Sequence, residues 1–146
     1  MALYEVAVAT PAAAAGAAYC DIRTAAGARA EIREIGAVCN AATASAIGLI
    51  RPATVGTATT TTAGQPEDPA DTAATAVIGT AWSSAPTIGT IYLRRFGTAA
   101  QIGAGIVWSW WAARRGLIIP ISSSVILWNY GGGAGSVLQV WAVWEE

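Results

Sequence analysis

From residue 87 onward the chain is a series of short apolar runs, each closed by a cluster of Gly, Pro, Ser, Ala or Arg. Residues 89–96, 105–111, 116–119, 125–130 and 136–144 are the runs, and residues 97–103, 112–115, 120–124 and 131–135 are the punctuation. Runs this short, bounded by turn formers and rich in Ile, Val and Trp, do not bury a helix face and read as strands. Several such strands with regular turns close into a sandwich or a barrel. The expected fold is therefore all-β: a single antiparallel β-sandwich over residues 1–146, jelly-roll-like, with about eight strands.

The first half carries the same signal more weakly. Residues 3–9 alternate, with Tyr4, Val6 and Val8 on one side and Leu3, Glu5 and Ala7 on the other. Residues 18–23 and 28–40 are two further extended runs, and Thr24-Ala25-Ala26-Gly27 between them reads as a hairpin turn. In the second run Ala28, Ala30 and Ile32 share a face but Ile35 falls out of step, so a bulge near residues 34–36 is expected. Residues 45–51 form a strand closed by Pro52. Residues 53–76 are rich in Thr, Ala and Pro, hold Glu67, Asp68 and Asp71, and show neither period. A long irregular loop is expected there, serving as an arm that grips a partner.

Composition narrows the function classes. Apolar residues make up 54% of the chain and charged residues 12%, about half the usual charged share of about 25%. A helical span is not expected, because the longest charge-free stretch is broken by Pro120, by Ser122 to Ser124 and by Gly131 to Gly133. The Ala- and Thr-rich first half does not supply the alternation of a membrane barrel, so no membrane partner is expected. A net charge of −1 speaks against nucleic acid as a partner. All the basic residues are Arg, which reads as the coding bias of a GC-rich genome. The Ala-rich run before Cys20 has no basic residue ahead of it and ends in bulky Tyr19, so a lipoprotein-type leader is not expected and synthesis in the cytoplasm is. Cys20 and Cys39 do not face one another in the expected hairpin and read as free buried thiols.

The C-terminal runs are apolar on both faces. Val137, Trp141 and Val143 oppose Leu138, Val140, Ala142 and Trp144, while Val125 and Leu127 oppose Ile126, Trp128 and Tyr130. A sandwich strand has one core to face, so the second face needs a cover, and another subunit is the economical one. Trp128, Tyr130, Leu138, Val140, Trp141 and Trp144 are the expected oligomer interface, with a threefold assembly preferred.

Chemistry-bearing motifs are sparse. The chain has no His, the commonest general base and metal ligand, and no enzyme activity, cofactor or metal is expected. The Gly131–Ser136 run lies between strands, opens no helix and is followed by no Lys, so it reads as a hairpin loop and not as a phosphate cradle. Glu67, Asp68 and Asp71 match no calcium loop and read as a solvated acidic loop. Arg114 and Arg115, in an expected turn, are free to act together and, with those three acids, are the expected partner contacts. The seven tryptophans read chiefly as core and interface anchors. Trp108 and Trp110, on one side of a strand, form the alternative: a glycan-stacking platform.

Tyr4-Glu5-Val6, the stretch Glu31 to Val38, the run Gln65-Pro66-Glu67-Asp68-Pro69-Ala70-Asp71, Ile91-Tyr92-Leu93-Arg94-Arg95, and the closing sequence from Arg115-Gly116-Leu117 through Leu127-Trp128-Asn129 to Val143-Trp144-Glu145-Glu146 together carry a likeness. In layout the chain resembles small virion proteins of tailed bacteriophages that infect GC-rich bacteria. The resemblance implies a jelly-roll capsid decoration or cement protein, often trimeric, that sits on the virion head and braces neighbouring major capsid subunits. The alternative reading is a glycan- or receptor-binding module of a tail or head fibre.

Overall fold

The computed structural model describes residues 1–146 and is built of strands and turns, with no helix. Twelve strands follow one another: β1 (Leu3–Ala9), β2 (Ala18–Arg23), β3 (Ala30–Cys39), β4 (Ser45–Thr54), β5 (Thr57–Ala63), β6 (Gln65–Pro66), β7 (Val77–Ser84), β8 (Thr87–Thr98), β9 (Gly105–Ser109), β10 (Leu117–Ile119), β11 (Ser124–Asn129) and β12 (Leu138–Glu145). They form two antiparallel sheets. Sheet A runs β10-β3-β12-β1-β6, with β9 also paired to β3, and sheet B runs β5-β7-β2-β11-β4-β8. The all-β sandwich is as expected; the strand number exceeds the expected eight.

The first four strands alternate between sheets, β1 and β3 in A and β2 and β4 in B. This corrects two expected hairpins. Residues 24–27 and residues 131–136 each carry the chain from one sheet to the other, because turn-forming residues punctuate a crossover just as they punctuate a hairpin.

One contiguous core of 22 buried residues fills the space between the sheets. Sheet B contributes Cys20, Ile22, Ile47, Leu49, Ile78, Val125 and Leu127, and sheet A contributes Ile32, Ile35, Ala37, Cys39, Leu138, Val140, Ala142 and Trp144. Burying each Ile, Leu or Val stabilises the fold by about 1.5–3 kcal/mol. The two thiols sit on opposite sheets, both free. Burial pushes the Cys20 thiol far above its ordinary range, with Asp21 adding to the effect.

The bulge exists, just ahead of its expected place. Val143 pairs with Glu34 and Trp144 with Ile32, so Arg33 is the extra residue on β3. This restores Ile35 and Ile32 to the core side and frees Arg33 to reach Glu145 with two hydrogen bonds, Nε to Oε1 at 3.0 Å and Nη2 to Oε2 at 2.9 Å.

The expected loop at residues 53–76 is mostly strand. β4 runs on to Thr54, β5 pairs along β7, β6 adds to β1, and besides the short links at residues 55–56 and 64 only residues 67–76 remain irregular. Thr is a β former, but β5 is an edge strand exposed along most of its length, so it lacks the apolar alternation that marks a half-buried strand.

Buried polar groups tie the connections down. The Asn129 side-chain amide donates to the carbonyls of Ala13 (3.0 Å), Ala14 (3.1 Å) and Gly133 (2.9 Å), and its Oδ1 accepts from Gly131 N–H (2.9 Å). One side chain thus holds the Ala-rich link between β1 and β2 against the glycine-rich link between β11 and β12. Glu146 accepts from Thr75 Oγ1 (2.6 Å), Ala76 N–H (2.7 Å) and Trp144 Nε1 (2.9 Å), securing the stretch that leads into β7.

Candidate docking surfaces

The side chains of β12 divide cleanly. Leu138, Val140, Ala142 and Trp144 point into the sandwich and are fully buried. Trp144 stacks on Tyr4 with ring centroids 6.2 Å apart, and the absence of a side chain at Gly64 makes room for its indole. Three expected interface residues, Leu138, Val140 and Trp144, are therefore core residues of the protomer. They read as surface because both faces of β12 are apolar, and periodicity alone does not say which one is the core.

Trp141 lies on the outer face of sheet A. Its indole covers Gly36, where a methyl group would overlap the ring, and its Nε1 donates to Glu34 Oε1 at 2.9 Å. Trp128 and Tyr130 lie outside sheet B. The Tyr130 ring meets Tyr92 edge-on at 5.8 Å, and the Arg95 guanidinium sits 4.0 Å from the Tyr130 ring centre and 5.1 Å from that of Tyr92. The expected interface is thus split between opposite outer faces of the sandwich.

The chain also covers part of its own second apolar face. Asp21, Ile126 and Ile50 pair in a row across β2, β11 and β4, outside sheet B, yet all are fully buried. Arg23, two residues from Asp21, binds it at 2.6 Å and reaches the carbonyls of Val55 (3.3 Å) and Gly56 (3.4 Å), so the turn between β4 and β5 lies over this row. Burial pushes the Asp21 carboxyl up despite its Arg23 partner. No neighbouring subunit is needed to shelter Ile126.

The glycan platform is not formed. Trp108 is 8% exposed and belongs to the core, and Trp110 packs against it. On a strand facing the sandwich, two aromatic rings at alternate positions fill the core first.

The exposed apolar side chains gather elsewhere. Of the six large ones, Ile102 (63%), Val107 (49%), Trp111 (49%) and Ile121 (58%) all belong to the segment that builds one edge of sheet A. β9 pairs with residues 34–38 of β3, and β10 with residues 30–32, so both lie on the same side of β3. Trp110 N–H donates to the Arg33 carbonyl at 2.8 Å, residues 111–115 leave the sheet, and the chain rejoins at Gly116, whose N–H donates to Glu31 Oε1 at 2.7 Å. A side chain at Gly116 would overlap the Ile32 carbonyl, so the return requires glycine. The result is one interrupted edge strand with a knob standing out from it. The knob exposes Trp111, Arg114 and Arg115, and neither arginine forms an ion pair within the chain.

The other expected contact residues sit at the opposite edge. β6 is the last strand of sheet A, and Glu67, Asp68 and Asp71 follow it, exposed. Asp68 shapes this turn by accepting from Ala70 N–H at 2.9 Å, while its carbonyl accepts from Asp71 N–H at 3.0 Å. Expected partner contacts thus occupy both edges of one sheet. Ile102, Val107, Trp111 and Ile121 were not among the expected contacts; the signal for them was the gap between two short strands that both pair with β3, which emerges only with the pairing.

Comparison with family models, curated proteins and solved structures finds no match to this chain.

Proposed function

We propose that the chain is a non-enzymatic virion structural protein, a capsid decoration or cement protein that oligomerises, as a trimer, and braces major capsid subunits on the surface of a virion. The observation that carries this reading is the knob on the β9–β10 edge. It presents Trp and Arg together, the residue types that dominate binding hot spots, beside further exposed apolar side chains on an edge strand, a natural template for another protein. Strand order adds support. The orders β1-β12-β3-β9 in one sheet and β2-β11-β4-β8 in the other support a jelly-roll reading of eight strands, with β5, β6 and β7 taken as an insertion and β10 as the continuation of β9. The layout likeness to small phage virion proteins points the same way.

Electron microscopy of tailed virions assembled with and without this chain tests the proposal. Expected is additional density of sandwich size at regular positions on the head, contacting several capsid subunits. Heads that look the same with and without it would overturn the reading.

A further inference from the structure

The two edges of sheet A differ in chemistry and share a level along the strands. On one side, Gln65 pairs with Glu5, Glu5 with Val143, Val143 with Glu34, and Glu34 with Ser109. This single row runs across the sheet from the strand preceding the acidic turn to the strand preceding the knob. Four strand spacings of about 4.8 Å separate the two ends of the row, roughly 19 Å. A copy displaced sideways along the row would bring its Arg114 and Arg115 to the Glu67, Asp68 and Asp71 of its neighbour.

Strand direction fits the same displacement. β1 is antiparallel to β12, β12 to β3, and β3 to β9, so β9 of one copy runs antiparallel to β1 of the next. At the level where Val107, Gly36, Trp141 and Ala7 pair in a row, exposed Val107 would face Ala7. Beside Ala7, an open groove of about 480 Å³ is lined by Glu5, Val6, Gln65, Trp141 and Ala142.

From the charge complementarity of the two edges, their shared level and the apolar stripe on one of them, we infer that the partner of the β9–β10 edge is the β1–β6 edge of a second copy of this chain. The contact is head to tail, so each copy offers one knob and one acidic turn, and closure of the chain of copies gives a ring. This rests on the assembling role proposed above and names the surface that performs it.

Charge reversal in two complementary variants tests it by analytical ultracentrifugation at about 100 μM and low salt, where exposed charges are least screened. The wild type is expected to sediment as a multiple of 14.8 kDa. Arg114→Glu with Arg115→Glu should sediment as the monomer, and so should Glu67→Arg with Asp68→Arg and Asp71→Arg. Mixed in equal amounts, the two variants should regain the wild-type size, because each then presents the charge that the other lacks. All five positions are exposed, and circular dichroism matching the wild type checks the fold. A monomeric wild type, a variant that keeps the wild-type size, or a mixture that stays monomeric overturns the inference. Head density in the virions would persist under any of those results if only the self-contact is wrong, and would vanish if the virion role is wrong.

Discussion

Trp141 and Trp144 are three residues apart on β12 and face opposite ways, and their removal should differ in a calculable manner. Trp144 is fully buried, stacked on Tyr4, and donates its indole N–H to Glu146. A buried aromatic side chain removes about 150–250 Å² from water, which at about 25 cal/mol per Å² amounts to roughly 4–6 kcal/mol as an upper bound. Trp144→Ala keeps a methyl group but leaves a cavity, and the expected loss is about 3–5 kcal/mol. Trp141 covers Gly36 and is partly exposed; Trp141→Ala gives up part of that area and one hydrogen bond to Glu34, about 1–2 kcal/mol. For a chain of this length each kcal/mol moves the melting temperature by about 2–4 °C. Trp144→Ala should therefore lower it by about 6–20 °C and Trp141→Ala by about 2–8 °C. Urea denaturation followed by far-ultraviolet circular dichroism measures both without relying on tryptophan emission. Equal losses, or a greater loss at Trp141, would refute the assignment of inner and outer faces.

Asn129→Ala removes four side-chain hydrogen bonds, leaving the Gly133 carbonyl without the amide while those of Ala13 and Ala14 keep the N–H groups of Gly135 and Ala17, and should cost about 2–4 kcal/mol, read as a lower urea midpoint with unchanged slope. Gly135→Ala should destabilise strongly, because the new methyl overlaps the Tyr19 hydroxyl; Tyr19→Phe in the same chain should recover part of the loss in thermal melts. Burial pushes the Glu146 carboxyl up, but hydrogen bonds from Thr75, Trp144 and Ala76 outweigh it and hold it below its ordinary value of 4.5. Its contribution is therefore present above that pH and is lost as the pH falls through the lowered folded value. The stability difference between wild type and Glu146→Gln should be constant near neutrality and shrink below about pH 4.5; a difference that grows on acidification would contradict this.

Local extended structure was readable along most of the chain, because alternation and turn residues act over a few positions. β1 and β2 have the bounds that the pattern suggests, and the parity slip between Ile32 and Ile35 marks the bulge at Arg33 within a residue or two. The choice of sheet was not readable. Thr24-Ala25-Ala26-Gly27 turns the chain equally well within a sheet or between sheets, and only pairing with β11 and β12, a hundred residues on, decides it. Nor was the core side of β12: Trp144 is inside because Tyr4 and Gly64 form a slot for its ring, whereas Trp141 lies over Gly36 on the outer face. The edge residues Arg114, Arg115, Glu67, Asp68 and Asp71 stood out as charge in an uncharged chain, but their placement at opposite ends of one row depends on four successive pairings.

β11 lies between β2 and β4, and β12 lies between β1 and β3. β11 and β12, made after the ten strands before them, are thus the keystones of both sheets, and Leu3 waits for Glu145 before its ladder can close. A nascent chain stopped short of residue 124 holds β1 with only the short β6 beside it and β2 with only β7, and the other edge of each stays open. Closure of both sheets should consequently wait until β12 has been made, run slowly as expected for such distant pairings, and leave a window in which a chaperone or a sister chain can compete for the uncovered edges.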